Sequence, residues 1–341
     1  MFVNTPFFLM LIIDLASLVA GSCVIVFTLK SYIKWKKIND CKSNDRQPGK
    51  RINRAFFFIT LFLLIRQLSY PLFYLSLQSF VKYVEGAMCI YGVTQLLPGL
   101  CNFLEIIKPF CFFITGLWLI FHFLTRKSMD GPLVLQKLML LTGVCGCIIL
   151  NCFVDLNFLI NVDFQTSVTC CTISTDLPDR LSATIARYLF GRRYDHLLLY
   201  FYYIINFALI GAAAYIQKFR NIDKAAKAAY RKKITGLVFF LALINFFLTA
   251  LSIQEVIGPK LMKLPYHHCL YCLFQYVPVS CFMVTFFIFG TFGFGWAFGL
   301  EIMASGKKTI KNLPDYTKKL YQFSISCLTL SLTIISLTLL W

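Results

Sequence analysis

The sequence predicts an all-α integral membrane protein of eight transmembrane helices arranged as two parallel-related four-helix halves. Three observations carry this expectation. Of 341 residues, 58% are apolar and 14% charged, whereas soluble domains carry about 45–50% and about 25%. The apolar residues gather into runs long enough to cross a hydrocarbon core about 30 Å thick, which takes roughly 20 residues per helix. The charges fall between those runs, and a segment inside lipid must satisfy its own backbone, so each run is a helix.

The expected spans are 7–29, 55–80, 99–124, 133–156, 197–217, 234–255, 269–299 and 321–341. The first lacks a basic start, contains Asp14 and is followed at once by positive charge. Those features fit a retained helix better than a cleaved signal peptide. The second contains Arg66, which with Asp14 is expected to form an intramembrane ion pair or part of a proton or anion path, since ionisable groups at that depth are paired or functional. Glu105, Asp155 and Glu255 sit near the ends of spans three, four and six, where facing interfacial water is the ordinary role. In span seven, Gly295 and Gly299 lie four apart and suit a close helix contact. The Ser and Thr residues of span eight suit hydrogen bonds between helices.

Thirty-three Lys and Arg against fifteen Asp and Glu give a net charge of +18. In a soluble protein such a surplus would point to nucleic acid; here it orients the bundle instead. The loops at 30–54, 126–137, 218–233 and 307–319 hold 24 of the basic residues and five acids, whereas the alternate loops are neutral overall. By the positive-inside rule the first set is cytoplasmic. Both termini are then extracytoplasmic, in a plasma membrane or bacterial inner membrane. The expected partners are the bilayer itself and either an extracytoplasmic thiol protein or a larger membrane complex, with no nucleic acid.

An internal repeat supports the two halves. Residues 89–101 (CIYGVTQLLPGLC) and 269–281 (CLYCLFQYVPVSC) share the pattern C-x-Y-x3-Q-x2-P-x2-C without a gap. The expected organisation is a half at 1–156, an extracytoplasmic loop at 157–196 carrying Cys170-Cys171, and a half at 197–341. The copies differ where chemistry would occur: Gly92 stands opposite Cys272, and Ala87-Met88 opposite His267-His268. The second copy is therefore the expected active one.

Fourteen cysteines are present. Those within spans (Cys23, Cys111, Cys145, Cys147, Cys152, Cys327) suit small packing residues. The others, Cys41 apart, fall on the expected extracytoplasmic side, where disulfide or metal chemistry is favoured. The sharpest local signal is His267-His268-Cys269-Leu270-Tyr271-Cys272. A C-x-x-C where a helix begins has a stabilised thiolate, fit to attack a disulfide. The same residues offer two soft sulfurs and two imidazoles to zinc or copper, with His267, His268, Cys269 and Cys272 as the ligand set. No C-x-x-C-H, glycine-rich phosphate loop or H-E-x-x-H occurs.

The stretch Cys269-Leu-Tyr-Cys272-Leu-Phe-Gln275 resembles the C-x-x-C-x-x-Q of the bacterial inner-membrane quinone oxidoreductases that generate disulfides. It is also similar to the C-x-x-C of the vitamin K epoxide reductase family. The resemblance implies that Cys269 and Cys272 exchange electrons with a bound quinone, with Cys170 and Cys171 as the shuttle to a partner. Tyr271 and Gln275, and their counterparts Tyr91 and Gln95, would then shape the quinone pocket. His268 and Tyr276 depart from that pattern, which has a proline and an arginine there. Three functions stay open from sequence: a thiol–disulfide oxidoreductase, a soft-metal (copper or zinc) binding or transport protein, and a non-enzymatic subunit of a membrane complex.

Overall fold

The computed structural model describes residues 5–40, 50–126, 131–169, 171–219, 228–304 and 313–340. The order is α1 (Thr5–Asp40), α2 (Lys50–Phe80), a 3-10 turn (Val81–Tyr83), α3 (Ile90–Thr94), α4 (Pro98–Leu124) and α5 (Gly131–Asn161). There follow α6 (Cys171–Thr175), α7 (Leu181–Phe190), α8 (Tyr194–Phe219), α9 (Ala228–Ser252), a π-turn (Ile253–Ile257), α10 (Gly258–Met262), α11 (Leu270–Tyr276), α12 (Val279–Ala304) and α13 (Leu313–Leu340). Among the described residues there is no strand. Eight helices are long and apolar enough to cross a membrane: α1, α2, α4, α5, α8, α9, α12 and α13. The protein is an all-α, multi-pass membrane protein, and its environment is a lipid bilayer.

The outward surface follows from that environment. Val19, Leu68, Ile106 and Phe153 are each at least 62% exposed, a cost in water that acyl chains remove.

The chain divides into two units, one formed by Met1–Val168 and the other by Thr169–Lys307 with Lys311–Trp341. The boundary therefore falls inside the 157–196 stretch expected as a separate loop. In unit 1, α1 packs on α2 and α5, and α4 on α2 and α5. In unit 2, α8 packs on α9 and α13, and α12 on α9 and α13. Each unit is thus a ring of four helices with the same neighbour order, as chain-adjacent antiparallel spans produce.

The core of unit 1 has two apolar centres, one around Phe56, Trp118, Leu141 and Ile148, the other around Met10, Phe73, Leu77 and Phe158. Unit 2 is centred on Leu209, Ala242, Phe287, Phe294 and Leu328. There α12 approaches α13 most closely where a Cβ would collide: at Gly290 it would stand 2.8 Å from Leu328 Cγ, and at Gly293 2.1 Å from Ser324 Oγ. The glycines that set this approach precede Gly295 and Gly299, for which the sequence expected it. Span-eight hydroxyls do cross between helices: Ser331 Oγ donates to the Met283 carbonyl at 2.8 Å, and Ser336 Oγ lies 3.0 Å from Tyr203 Oη.

Polar residues in unit 1 sit between the two apolar centres. Arg66 Nη1 donates to Asp14 Oδ1 at 2.7 Å, and Arg66 Nη2 reaches Asp155 Oδ2 at 3.4 Å. Lys108 Nζ donates to both oxygens of Asp155 at 2.6 and 2.7 Å, and Asn151 Nδ2 to Asp155 Oδ2 at 2.9 Å. All four charged side chains are at most 3% exposed. Asp155 is therefore no interfacial, water-facing acid, and Lys108 lies well inside α4. Unit 2 has amides in its interior instead: Asn245 Nδ2 donates to Asn206 Oδ1 at 2.9 Å, beside Thr249.

Candidate functional site

Each repeat motif builds a short helix, a proline break and a long helix. Cys89 is the N-cap of α3 and Cys269 the N-cap of α11, both in extended backbone. Pro98 opens α4, and Pro278 immediately precedes α12. Proline has no N–H to donate and disfavours helix at the residue before it, so the chain must restart there. The seventh span accordingly begins at Val279, not at Cys269. The C-x-x-C caps a separate seven-residue helix, which weakens any support from a helix dipole.

The copies are not interchangeable. Gly92, opposite Cys272 in the alignment, is buried, and a Cβ on it would stand 2.7 Å from Ala87 Cβ and 2.8 Å from Ala87 Cα. Backbone that close leaves no room for a cysteine, so the first motif cannot present a second thiol at this position. Gly92→Ala is expected to cost about 1–3 kcal/mol through overpacking. An unchanged thermal midpoint in detergent would show that the turn relaxes freely.

In unit 2 the sequence-predicted residues converge. The sulfurs of Cys171, Cys269 and Cys272 all lie within 4.8 Å of one another, and all three residues are buried. Cys171 Sγ and Cys272 Sγ are 3.7 Å apart, contact rather than bond. Cys171 begins α6, while Cys269 and Cys272 start α11, so two segments far apart in sequence meet at sulfur.

His267 stands beside them. Its Nδ1 lies 2.9 Å from Asp176 Oδ2, and its Nε2 is 4.0 Å from Cys171 Sγ. An ionised carboxylate only accepts, so the Asp176 bond places the Nδ1–H there and leaves the Nε2 lone pair facing the thiols. Burial would raise the Asp176 carboxyl, but hydrogen bonds from His267 and the His268 backbone N–H outweigh it and hold the group below the usual carboxylate range. His268 plays another part. Its Nδ1 lies 3.1 Å from the Gln254 carbonyl and 3.3 Å from Arg180 Nη2. Burial, aided by Arg180, pushes its pKa down and favours the neutral ring.

A second set of bonds holds this end of unit 2 together. Arg180 Nε donates to Glu255 Oε1 at 2.9 Å and Tyr194 Oη to Glu255 Oε2 at 3.1 Å. Glu255 lies in the π-turn that ends α9, with a fully buried side chain; the sequence had assigned it to interfacial water. Glu105, treated likewise, is exposed.

Of the remaining predicted residues, Cys170 lies outside the described residues. Tyr271 is half-buried and Gln275 exposed; Tyr91 and Gln95 are half-buried in unit 1. Cys281 is exposed, and Cys101 packs into the unit 1 core. Asp176, Arg180 and Lys108 escaped sequence reading. A lysine ten residues inside an apolar run was a usable signal for Lys108. Asp176 and Arg180 sit in an irregular polar stretch with no period to mark them.

Comparison with protein-family models, with curated proteins and with solved structures finds no match to this chain.

Proposed function

We propose that this is a soft-metal-binding membrane protein, with Cys171, Cys269 and Cys272 as thiolate ligands of zinc or copper(I) on the extracytoplasmic face. One observation carries the reading: three buried sulfurs from two separate segments within 4.8 Å of one another. Tetrahedral zinc at about 2.3 Å from each sulfur sets its ligands about 3.8 Å apart; Cys171 and Cys272 are 3.7 Å apart. A single buried cysteine is a neutral packing residue; three converging from two segments offer a cation the thiolates it would hold.

His267 is the imidazole directed at the cluster, and Asp176 orients it, as carboxylates orient metal-bound histidines elsewhere. His268, with its Nδ1 engaged by Gln254 and Arg180, serves as a brace. A closed, buried centre of this kind stabilises structure: the ion would fasten α6 to α11 at the membrane surface.

Metal analysis of protein purified in detergent without chelator tests this. The expected result is about one equivalent of zinc or copper per chain, lost in Cys171→Ser and Cys272→Ser. Asp176→Asn is expected to weaken binding by about 10–100-fold while the protein stays folded. A fourth donor is read from one further variant, His267→Ala. Metal-free protein with full helix content would overturn the reading.

A second reading rests on the same 3.7 Å approach and on the resemblance to the quinone-linked families. Cys171 and Cys272 would lose two electrons and two protons to form a disulfide, reducing a quinone to the quinol. A disulfide that forms on adding quinone, in metal-free protein, would favour it.

A further inference from the structure

We propose that unit 1 holds a second site, independent of the thiolate centre: a membrane-embedded proton-binding carboxyl, Asp14, set in the charge network with Arg66, Asp155 and Lys108. Its place in the fold is deep. Counting about 1.5 Å per residue, Asp14 lies roughly 14 Å inside the start of its span at Thr5, and Lys108 roughly 15 Å inside the start of its span at Pro98. Four spans each contribute one charge, two acids and two bases.

The two carboxylates are served unequally. Asp155 accepts from Lys108 at both oxygens, from Asn151 and from Arg66. Asp14 accepts from Arg66 Nη1 at Oδ1, while Oδ2 is buried and receives no N–H or hydroxyl donor among the described residues, the weakly donating thiol of Cys152 being near the carboxyl. A carboxylate oxygen without a donor in a low-dielectric interior is the costliest atom of such a network. A proton on Oδ2 removes that cost and keeps the Arg66 bond at Oδ1. Arg66 Nε is likewise buried without an acceptor, so the same ion pair leaves one donor and one acceptor unsatisfied.

The groups around Asp14 are accounted for. From α2 it meets Arg66, whose guanidinium carbon lies 5.3 Å from the centre of the Tyr70 ring. From α5 it meets Asp155 and the thiol of Cys152, and from α4 the ammonium of Lys108 acts on it through Asp155. One acid and two cations thus surround it. In this step a proton from the aqueous phase adds to Asp14 Oδ2 and no bond breaks. The network changes from neutral to one positive charge, and Asp155 is then the one anion facing both cations.

Isotope-edited infrared difference spectra of the full chain in liposomes, with aspartate labelled at the side-chain carboxyl, test this. A protonated aspartate band should grow as the buffer is made mildly acidic. It should vanish in Asp14→Asn, which keeps an acceptor for Arg66, and persist in Asp195→Asn, an exposed site. If Asp14→Asn does not fold, Arg66→Lys decides, because relocating the cation beside Asp14 must move the midpoint of the band. No aspartate band, a band retained in Asp14→Asn, or an unmoved midpoint in Arg66→Lys would make the network a structural ion cluster and overturn the proposal.

Discussion

Cys272→Ser is expected to abolish metal binding and to release the segment carrying α6 and α7 from the end of unit 2. Serine is nearly isosteric, so packing around α11 survives; what disappears is a soft anionic ligand that a hydroxyl cannot replace. In small domains a structural zinc centre supplies apparent energies of about 10–16 kcal/mol. Here the spans hold one another, so the loss is local rather than global. Arg180 keeps its bonds to Glu255 and Asp176 its bonds to His267 and the His268 N–H, which anchor residues 176 and 180 but not residues 171–175. Limited proteolysis should therefore cut near 171–175 many times faster in Cys272→Ser than in wild type, with helix content unchanged. Equal cleavage rates would show that the cluster fastens nothing.

Acid is expected to act through the same centre. Protons compete with the metal for thiolates, so metal loss should begin in mildly acidic buffer. Asp176 is not the group that fails first. Its folded-state pKa is depressed, so its contribution is complete above the unfolded value near 3.9 and is lost only as pH falls through the lower folded value. His268, whose folded-state pKa is also depressed, begins to oppose folding as pH falls below about 6.5.

Arg66→Met is the second large effect. The guanidinium is 1% exposed and bridges Asp14 to Asp155. Removing it leaves Asp14 without its donor in the membrane interior, while Asp155 keeps Lys108. Breaking a buried pair from one side typically costs about 3–5 kcal/mol. The double variant Asp14→Asn/Arg66→Met should recover a large part of that loss, since an amide needs no counter-charge. Unfolding by a graded denaturing detergent measures both. A single variant as stable as wild type would mean that Asp14 is neutral and owes nothing to Arg66.

How far these features were legible in the sequence depends on whether they are periodic or convergent. All eight spans were visible because lipid demands continuous apolar length, a property each segment carries by itself. The motif at 269–281 was visible because its spacing repeats at 89–101. What the spacing hid was the break at Pro278, where the helix restart moved the C-x-x-C off the seventh span. Cys171 was marked by its position beside Cys170, yet its approach to Cys272 depends on how residues 169–180 fold back, which no local pattern states. Asp176 and Arg180 were invisible for the same reason. Lys108 was passed over and Asp155 misassigned, the acid having been weighed singly, by its distance from a helix end. Their meaning lies in each other, at 2.6 Å.

The central claim is that Cys171, Cys269 and Cys272 share one metal ion. X-ray absorption at the zinc and copper edges on the purified, chelator-free full chain tests it most directly. The account predicts at least three sulfur neighbours at about 2.3 Å from a tightly bound ion, falling by one in Cys171→Ser or Cys272→Ser where any metal is retained. A metal coordinated by oxygen and nitrogen, or no metal with a Cys171–Cys272 disulfide in its place, would contradict it.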